Sequence, residues 1–221
     1  MTVQSSDEVS IKPPVYFSQS RPEMMKFIPS KAKRILDVGC AEGNFGASLK
    51  NQLGSEVWGV EPVPSIAEIA SQRLDRVLCG DISAELSQCD DGYFDCIVFN
   101  DVLEHLIDPS RVLVDVKRKL SRNGVVVASI PNIRYFPVLK DLVLHGQWEY
   151  EDAGILDRTH LRFFTRKSIA KLFPSLGYRI LQLEGINPRP SWKATLLNFA
   201  VLGKLTDTRY LQFACVAQPI R

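Results

Sequence analysis

Acidic residues recur where short apolar runs of this chain come to an end. Asp37 lies in Arg34-Ile-Leu-Asp-Val38, Glu61 follows Glu56-Val-Trp-Gly-Val60, Asp81 follows Arg76-Val-Leu-Cys79-Gly80, and Asn100-Asp101 follows Phe94-Asp-Cys-Ile-Val-Phe99. Core packing does not explain such repetition, because a buried charge is costly unless it is paired. A cationic ligand rich in hydroxyl and amine groups would pair these acids. The first acid leads into Gly39-Cys40-Ala41-Glu42-Gly43, and an apolar helical pattern starts at once with Asn44-Phe45. Glycines there let the backbone pass close to a ligand. The exposed N–H groups of the following helix suit a carboxylate or phosphate. Three histidines, His105, His145 and His160, supply groups that titrate near neutrality and can move protons.

These residues need a scaffold that brings run-ends together. Strands are predicted over 34–38, 56–60, 76–79, 94–99, 125–130, 178–183 and 210–217. Helices are predicted after Pro22 and over 44–53, 64–73, 109–120, 165–176 and 192–202, with Gly54 ending the first of the long ones and Thr165 capping the fifth. Alternating strands and helices argue an α/β fold, a doubly wound and mostly parallel sheet with the last strand antiparallel. Ligands of such sheets bind at the carboxyl ends of the strands. At 221 residues the chain fits a single domain spanning 1–221. Residues 1–30 read as a tail and cover, 1–12 as frayed, with Tyr16, Phe17, Met24, Met25 and Phe27 available to pack. Segments 132–164 and 187–205 read as inserts on the ligand side.

Composition narrows the options. A formal net charge of +2 gives no field for nucleic acid. The five cysteines show no C-x-x-C spacing and read as buried thiols of a reducing compartment. An apolar span of 18 residues is absent, and the first ten residues are polar, so a cytoplasmic chain without membrane insertion is expected. Six of the eight residues from Thr195 to Leu202 are apolar. That helix is a lid packed on its own domain, a face for a second copy in a homodimer, or a lipid contact; packing on its own domain is the first expectation.

The dinucleotide fingerprint G-x-G-x-x-G would fall on Gly39, Ala41 and Asn44, so two of its glycines are missing. Asp37-Val-Gly-Cys-Ala-Glu-Gly43 instead resembles motif I of class I S-adenosylmethionine-dependent methyltransferases, with Ala41 where that family usually has glycine. Val57-Trp-Gly-Val-Glu61-Pro62, Gly80-Asp81-Ile82 and Phe94 through Leu106 extend the resemblance, as do Ser129-Ile-Pro-Asn132 and Gly154 through Thr165. Together, over roughly residues 15 to 185, they are similar to small bacterial methyltransferases related to the ubiquinone-biosynthesis O-methyltransferases. The resemblance implies S-adenosylmethionine as cofactor and a small-molecule acceptor, with a surface-polysaccharide sugar or its precursor leading and a phenol or quinone as alternative. A catalytically silent cofactor-binding module is the competing class. The Asn/Asp-Pro-Pro-Tyr tetrad of adenine and glutamine N-methyltransferases is absent from Asn100-Asp101-Val102-Leu103.

Carried onto these positions, the resemblance puts the cofactor on Asp37, Gly39, Cys40, Gly43, Phe45, Glu61, Pro62, Asp81, Ile82, Asn100, Asp101 and Val102. Glu61 takes the ribose hydroxyls, Asp81 and Ile82 the adenine, and Asp37 the amino group. His160 is the expected base at the acceptor, oriented by Asp157, with His105 nearer the methyl group. Arg158 and Arg162 accompany Asp157 as acceptor contacts. Asp101-x-x-Glu104-His105 matches the spacing of the acidic-x-x-Glu-His run proposed to hold a divalent ion in ubiquinone-type enzymes. Those residues share a face only if the segment is helical, and no metal ligand is assigned.

Overall fold

The computed structural model describes residues 17–221; the expected frayed tail and Tyr16 lie outside them. Seven strands form one sheet: β1 (Arg34–Val38), β2 (Glu56–Glu61), β3 (Arg76–Cys79), β4 (Phe94–Asn100), β5 (Leu120–Pro131), β6 (Tyr178–Pro188) and β7 (Tyr210–Pro219). Their order is β3-β2-β1-β4-β5-β7-β6. The pairs among β1 to β5 are parallel, and β7 runs antiparallel between β5 and β6. The sheet thus has the expected doubly wound arrangement.

Period-two alternation builds a core on each face. On β1, Leu36 and Val38 join Phe99, Phe173 and Tyr178 on one side, while Ile35 joins Leu49, Val98 and Ala214 on the other. Met24 and Phe27, from a 3₁₀ turn over Pro22–Phe27, belong to that second core. Helix α1 (Asn44–Leu53) is bounded by left-handed Gly43 and Gly54, and the Gly54 N–H closes it on the Lys50 carbonyl. Helix α2 (Pro64–Ser71) starts on its proline, as expected of a first-turn residue that needs no N–H donor.

Register decides which residues share the rim. Val38 lies opposite Val60 and Phe99, Glu61 opposite Cys79, and Asn100 opposite Ser129. Parallel strands in this register deliver their ends to one side of the sheet. The order reverses about β1, which opens the crevice where such sheets bind ligands.

Elsewhere the boundaries depart from expectation for tertiary reasons. A short helix α3 (Ile82–Glu85) follows β3, capped by Asp81, whose Oδ1 accepts the Ser83 N–H at 2.8 Å. The helix expected over 109–120 divides into α4 (Pro109–Asp115) and a 3₁₀ turn over Val116–Arg118. Lys119 is pulled inward there, its Nζ donating to the Cys89 carbonyl and Asp91 Oδ1, both at 2.7 Å. Leu120 then pairs with Phe94, so β5 begins early with a bulge. Strand β6 continues to Pro188 because β7 offers partners as far as Tyr210. The first insert coils as α5 (Phe136–Lys140) and a π turn over Asp141–His145. Helix α6 (Arg166–Ser175) has the expected Thr165 cap, reinforced by Ser168 in a capping box. Helix α7 is Trp192–Ala200. All five cysteines are free thiols; Cys79, expected buried, is exposed.

Gly59 of β2 shows how tightly the rim is built. A Cβ there would lie 2.5 Å from Cys40 Sγ and 2.8 Å from Leu74 Cδ1. Gly59→Ala should lose about 1–3 kcal/mol of stability through this overpacking, read as a lower urea midpoint. An unchanged midpoint would show that the turn after β1 yields freely.

Candidate functional site

Three left-handed residues turn the chain out of β1: Gly39 (φ 68°), Ala41 (φ 49°) and Gly43 (φ 78°). At Gly39 a Cβ would meet Val102 Cγ2 at 2.6 Å, so only glycine lets Val102 close against the turn. The Gly39 and Cys40 N–H groups both donate to the Val60 carbonyl, at 2.8 and 3.1 Å. Ala41 holds a conformation that disfavours any side chain by roughly 1–2 kcal/mol. Its N–H is held by Glu61 Oε2 at 3.0 Å, while Glu61 Oε1 accepts from the Val63 N–H at 3.1 Å. One carboxylate thus joins the turn after β1 to the end of β2.

Beside this turn lies a cleft of about 1180 Å³. Asp37, Gly39, Cys40, Phe45, Glu61 and Pro62 line it from the first two strand ends, Asp81 and Ile82 from the third, and Asn100, Asp101, Val102 and His105 from the fourth. Gly43 does not line it; it sits beneath the turn against Ala70 and Leu74. Burial, the nearby Glu61 charge and a weaker opposing pull from Arg21 bring the Asp37 carboxyl up to about 7. Burial also raises Glu61, against its two backbone N–H bonds. Both polar atoms of the Asn100 carboxamide are buried with no hydrogen-bond partner among the described residues. Such a group is costly unless a ligand satisfies it.

Arg21, which carries no motif signal, crosses from the segment before β1 to the end of β4. Its guanidinium pairs with Asp101 and, at 2.9 Å each, with Glu23 and Ser129 Oγ. Burial alone would lower Arg21, but Asp101 and Glu23 outweigh it and raise it. Asp101 also accepts from Gln212 Nε2 (2.8 and 2.7 Å) and Ser129 Oγ (2.9 Å). Gln212, from β7, is a second residue with no signal in the sequence pattern.

Arg21, Asp101 and His105 also line a smaller cavity of about 260 Å³, shared with Glu104, Asp157, His160, Asn187 and Gln212. The first insert docks on it through Leu161 and Arg162 N–H groups, which donate to the Glu104 carbonyl at 2.8 and 3.0 Å. This brings the His160 ring 4.7 Å from that of His105, centroid to centroid, with His160 Nε2 4.0 Å from Glu104 Oε1. A ring nitrogen of each histidine and a Glu104 oxygen all lie within 4.8 Å of one another. The Glu104 carboxylate is 1% exposed, and neither oxygen has a hydrogen-bond partner among the described residues. Burial, then the charge of Asp101, raises it well above the carboxylate range.

The ring tautomers follow from what faces them. His105 Nδ1 lies 3.2 Å from the Thr159 carbonyl, and His160 Nδ1 lies 2.9 Å from that of Ile155. A carbonyl only accepts, so each Nδ1 carries its proton and each Nε2 keeps a lone pair. Asp157 reaches His105 through Thr159: its Oδ1 accepts the Thr159 hydroxyl at 2.7 Å, and that oxygen lies 3.2 Å from His105 Nδ1. Burial, with His160 beside it, lowers His105 to about 4.

Arg158 and Arg162 line neither cavity. Arg158 pairs with Asp152 at 2.6 Å on the surface, and Arg162 donates to the Ile107 and Leu161 carbonyls. His145 is an exposed helix-end residue beside Asp141.

A family model for the methyltransferase domain matches residues 16–183. The chain belongs to that methyltransferase family. Its curated relatives include a ubiquinone biosynthesis O-methyltransferase of Coxiella burnetii, 25% identical over 179 residues (76% of this chain, 75% of the relative). The corresponding protein of Azorhizobium caulinodans is 27% identical over 190 residues (80% and 73%). The fold is shared with a SAM-dependent methyltransferase from Archaeoglobus fulgidus, at TM-score 0.68 and 19% identity over 88% of this chain and 90% of that one. An Aquifex aeolicus SAM-dependent methyltransferase gives TM-score 0.64 at 15% identity, covering 99% of this chain and all of the other. The strand-end acids Asp37, Glu61, Asp81 and Asp101 line the cleft at the carboxyl rim of that fold.

Asp37 has a consequence for stability in the absence of ligand. Its carboxyl is raised from 3.8 to about 7 by folding, so the protonated form favours the folded state. That contribution is complete below 3.8 and is lost as pH rises through about 7. The ligand-free methyltransferase should lose stability as pH rises from about 4 to about 7, by at most about 4 kcal/mol from this group, with no further loss from it above that. Asp37→Asn should flatten that limb in thermal melts; an unaltered slope would assign it to another carboxyl.

Proposed function

We propose that this methyltransferase transfers the methyl group of S-adenosylmethionine to a hydroxyl of a small, polar acceptor, with a sugar or its activated precursor as leading choice. The observation that carries the reading is the junction: Arg21, Asp101 and His105 line both the large cleft and the small cavity. A cofactor in the first can therefore meet an acceptor in the second. Glu61 suits the ribose hydroxyls, Asp81 with Ile82 the adenine, and Asp37 with Asn100 the ammonium side of the methionine. The small cavity is lined mainly by carboxyl, imidazole and amide groups, which suits hydroxyls. The N-terminal segment and both inserts contribute to it, through Glu23, His160 and Asn187. A phenolic acceptor is the second reading, favoured by the names of the curated relatives.

Methyl transfer is an in-line displacement, so the residues must align the acceptor oxygen and let its proton leave. His105 is neutral at pH 7, because burial and His160 hold its ring near 4. The Nε2 lone pair of His160, or that of His105, can take that proton; the Ile155 carbonyl fixes the His160 tautomer, and Asp157 acting through Thr159 fixes that of His105. Glu104, His105 and His160 also fit a divalent cation of the kind the ubiquinone-type resemblance implies. The buried, unpartnered Glu104 carboxylate and the two Nε2 lone pairs are the required donors. Bound there, a cation would lower the pKa of the acceptor hydroxyl. Asp101 is already engaged by Arg21, Ser129 and Gln212 and is left out of this donor set.

Two measurements test the proposal. Calorimetry with S-adenosylhomocysteine at pH 6.5, in buffers of differing ionisation heat, should show proton release on binding, as the ligand's ammonium turns Asp37 into a carboxylate. Asp37→Asn should abolish the release; binding of a nicotinamide dinucleotide in preference would overturn the cofactor assignment. An acceptor screen read by mass should then identify a methylated sugar or phenol. On that acceptor His160→Ala should slow turnover about a hundredfold with homocysteine-product affinity intact, and His105→Ala should impair both. Full turnover in His160→Ala removes it from the reaction, and loss of turnover in chelator with recovery in magnesium assigns the cation.

A further inference from the structure

Helix α7 turns large apolar side chains toward solvent. Trp192, Leu196 and Phe199 are 73%, 64% and 83% exposed, and Leu202 just beyond the helix is 89% exposed. The spacing of the first three, i, i+4 and i+7, sets them on one face. Asn198 turns the other way, its Oδ1 accepting the Leu205 N–H at 2.8 Å. The exposed face is therefore built: Asn198 is tied to the fold, and Trp192, Leu196 and Phe199 are turned outward.

The charge around this face has one sign. From Gly185 to Thr206 the sequence holds Arg189, Lys193 and Lys204 and no acidic residue. Arg189 and Lys204, one on each side of the helix, are exposed. An apolar stripe with an interfacial tryptophan and flanking cations is the pattern of a helix lying in the plane of a membrane interface. Cations near such a surface are drawn to anionic headgroups. The helix is too short to span, and no described helix is long and apolar enough to cross a membrane. A second copy is a weaker match. One face of a nine-residue helix falls short of the roughly 800 Å² per partner that a stable interface buries, and like charges would face one another across a two-fold axis.

We propose that α7 docks this enzyme on an anionic lipid surface. The helix starts just past Asn187, which lines the small cavity together with Gln212 of β7. Arg134, at the start of the other insert, is bonded to the Lys204 carbonyl at 3.0 Å and to Asp207 at 3.1 Å. Docking would thus hold the acceptor side of the sheet toward the membrane, where an acceptor attached to lipid would be presented.

The test is sedimentation of the full chain with vesicles of phosphatidylglycerol and phosphatidylcholine in equal parts, beside phosphatidylcholine alone. Binding to the anionic vesicles is expected, weakened tenfold or more by Leu196→Ser with Phe199→Ser, by Arg189→Glu with Lys204→Glu, and on neutral vesicles. S-adenosylhomocysteine affinity in solution should be unchanged in both double variants, which shows that they fold. Absence of vesicle binding, equal binding to the two vesicle types, or equal binding by the variants would overturn the proposal. So would a dimer in lipid-free solution that the serine variant converts to monomer.

Discussion

The Glu61 carboxylate is the constraint on which the rim depends. Its two oxygens hold the Ala41 and Val63 N–H groups, so the turn after β1 and the exit from β2 are set by one buried side chain. Without it, Ala41 has little to keep it in a left-handed conformation that an alanine does not favour. The same carboxylate is 4% exposed, and its charge adds to the burial that raises Asp37. Structure and electrostatics are therefore inseparable here. The group that shapes the turn also raises its neighbour, because two buried acids side by side resist full ionisation.

A second network closes the opposite side of the junction. Asp101 lies at a left-handed position after β4 and gathers Arg21, Ser129 and Gln212, residues from three separate stretches of chain. Charge-assisted bonds of this kind are short and directional. They fix the wall between the two cavities, and they keep the Arg21 charge at the boundary. The 3₁₀ turn over Leu103–His105 follows directly, so this wall also positions Glu104 and His105.

Much of this was legible in the sequence, and the reason is locality. Run-end acids, glycine turns and caps are encoded within a few residues, and parallel pairing needs only that successive strands start together. Asp37, Glu61, Asp81 and Asn100, which line the cleft, stand out that way. Arg21 and Gln212 do not, because their importance exists only across separations of 80 and 111 residues from Asp101. Gly43, expected at the cofactor, does not line the cleft and packs against Ala70 and Leu74, since a missing Cβ serves either purpose. Arg158 and Arg162 shared the polarity of their segment with Asp157 and His160, but the turn at Gly154–Thr159 sends the former pair outward and the latter inward. For 192–202 the apolar count was visible, and which way the face turned was not.

Local chemistry at the junction explains why two histidines and a glutamate can be buried together. Asp157 accepts a hydrogen bond from the Thr159 hydroxyl, so that oxygen faces His105 as an acceptor and leaves the ring proton on Nδ1. The Ile155 carbonyl does the same for His160. A second proton on His105 is opposed by burial and by the neighbouring ring, while a negative Glu104 is opposed by burial and by Asp101. Arg21 stays with Asp101 and Glu23 and leaves the Glu104 oxygens unmatched. The arrangement presents lone pairs in a space that tolerates no net negative charge of its own. On the proposed function, what would complete it is a positive partner, either the proton an acceptor releases as the methyl group arrives or a cation, because each asks for bare nitrogen and oxygen at one point.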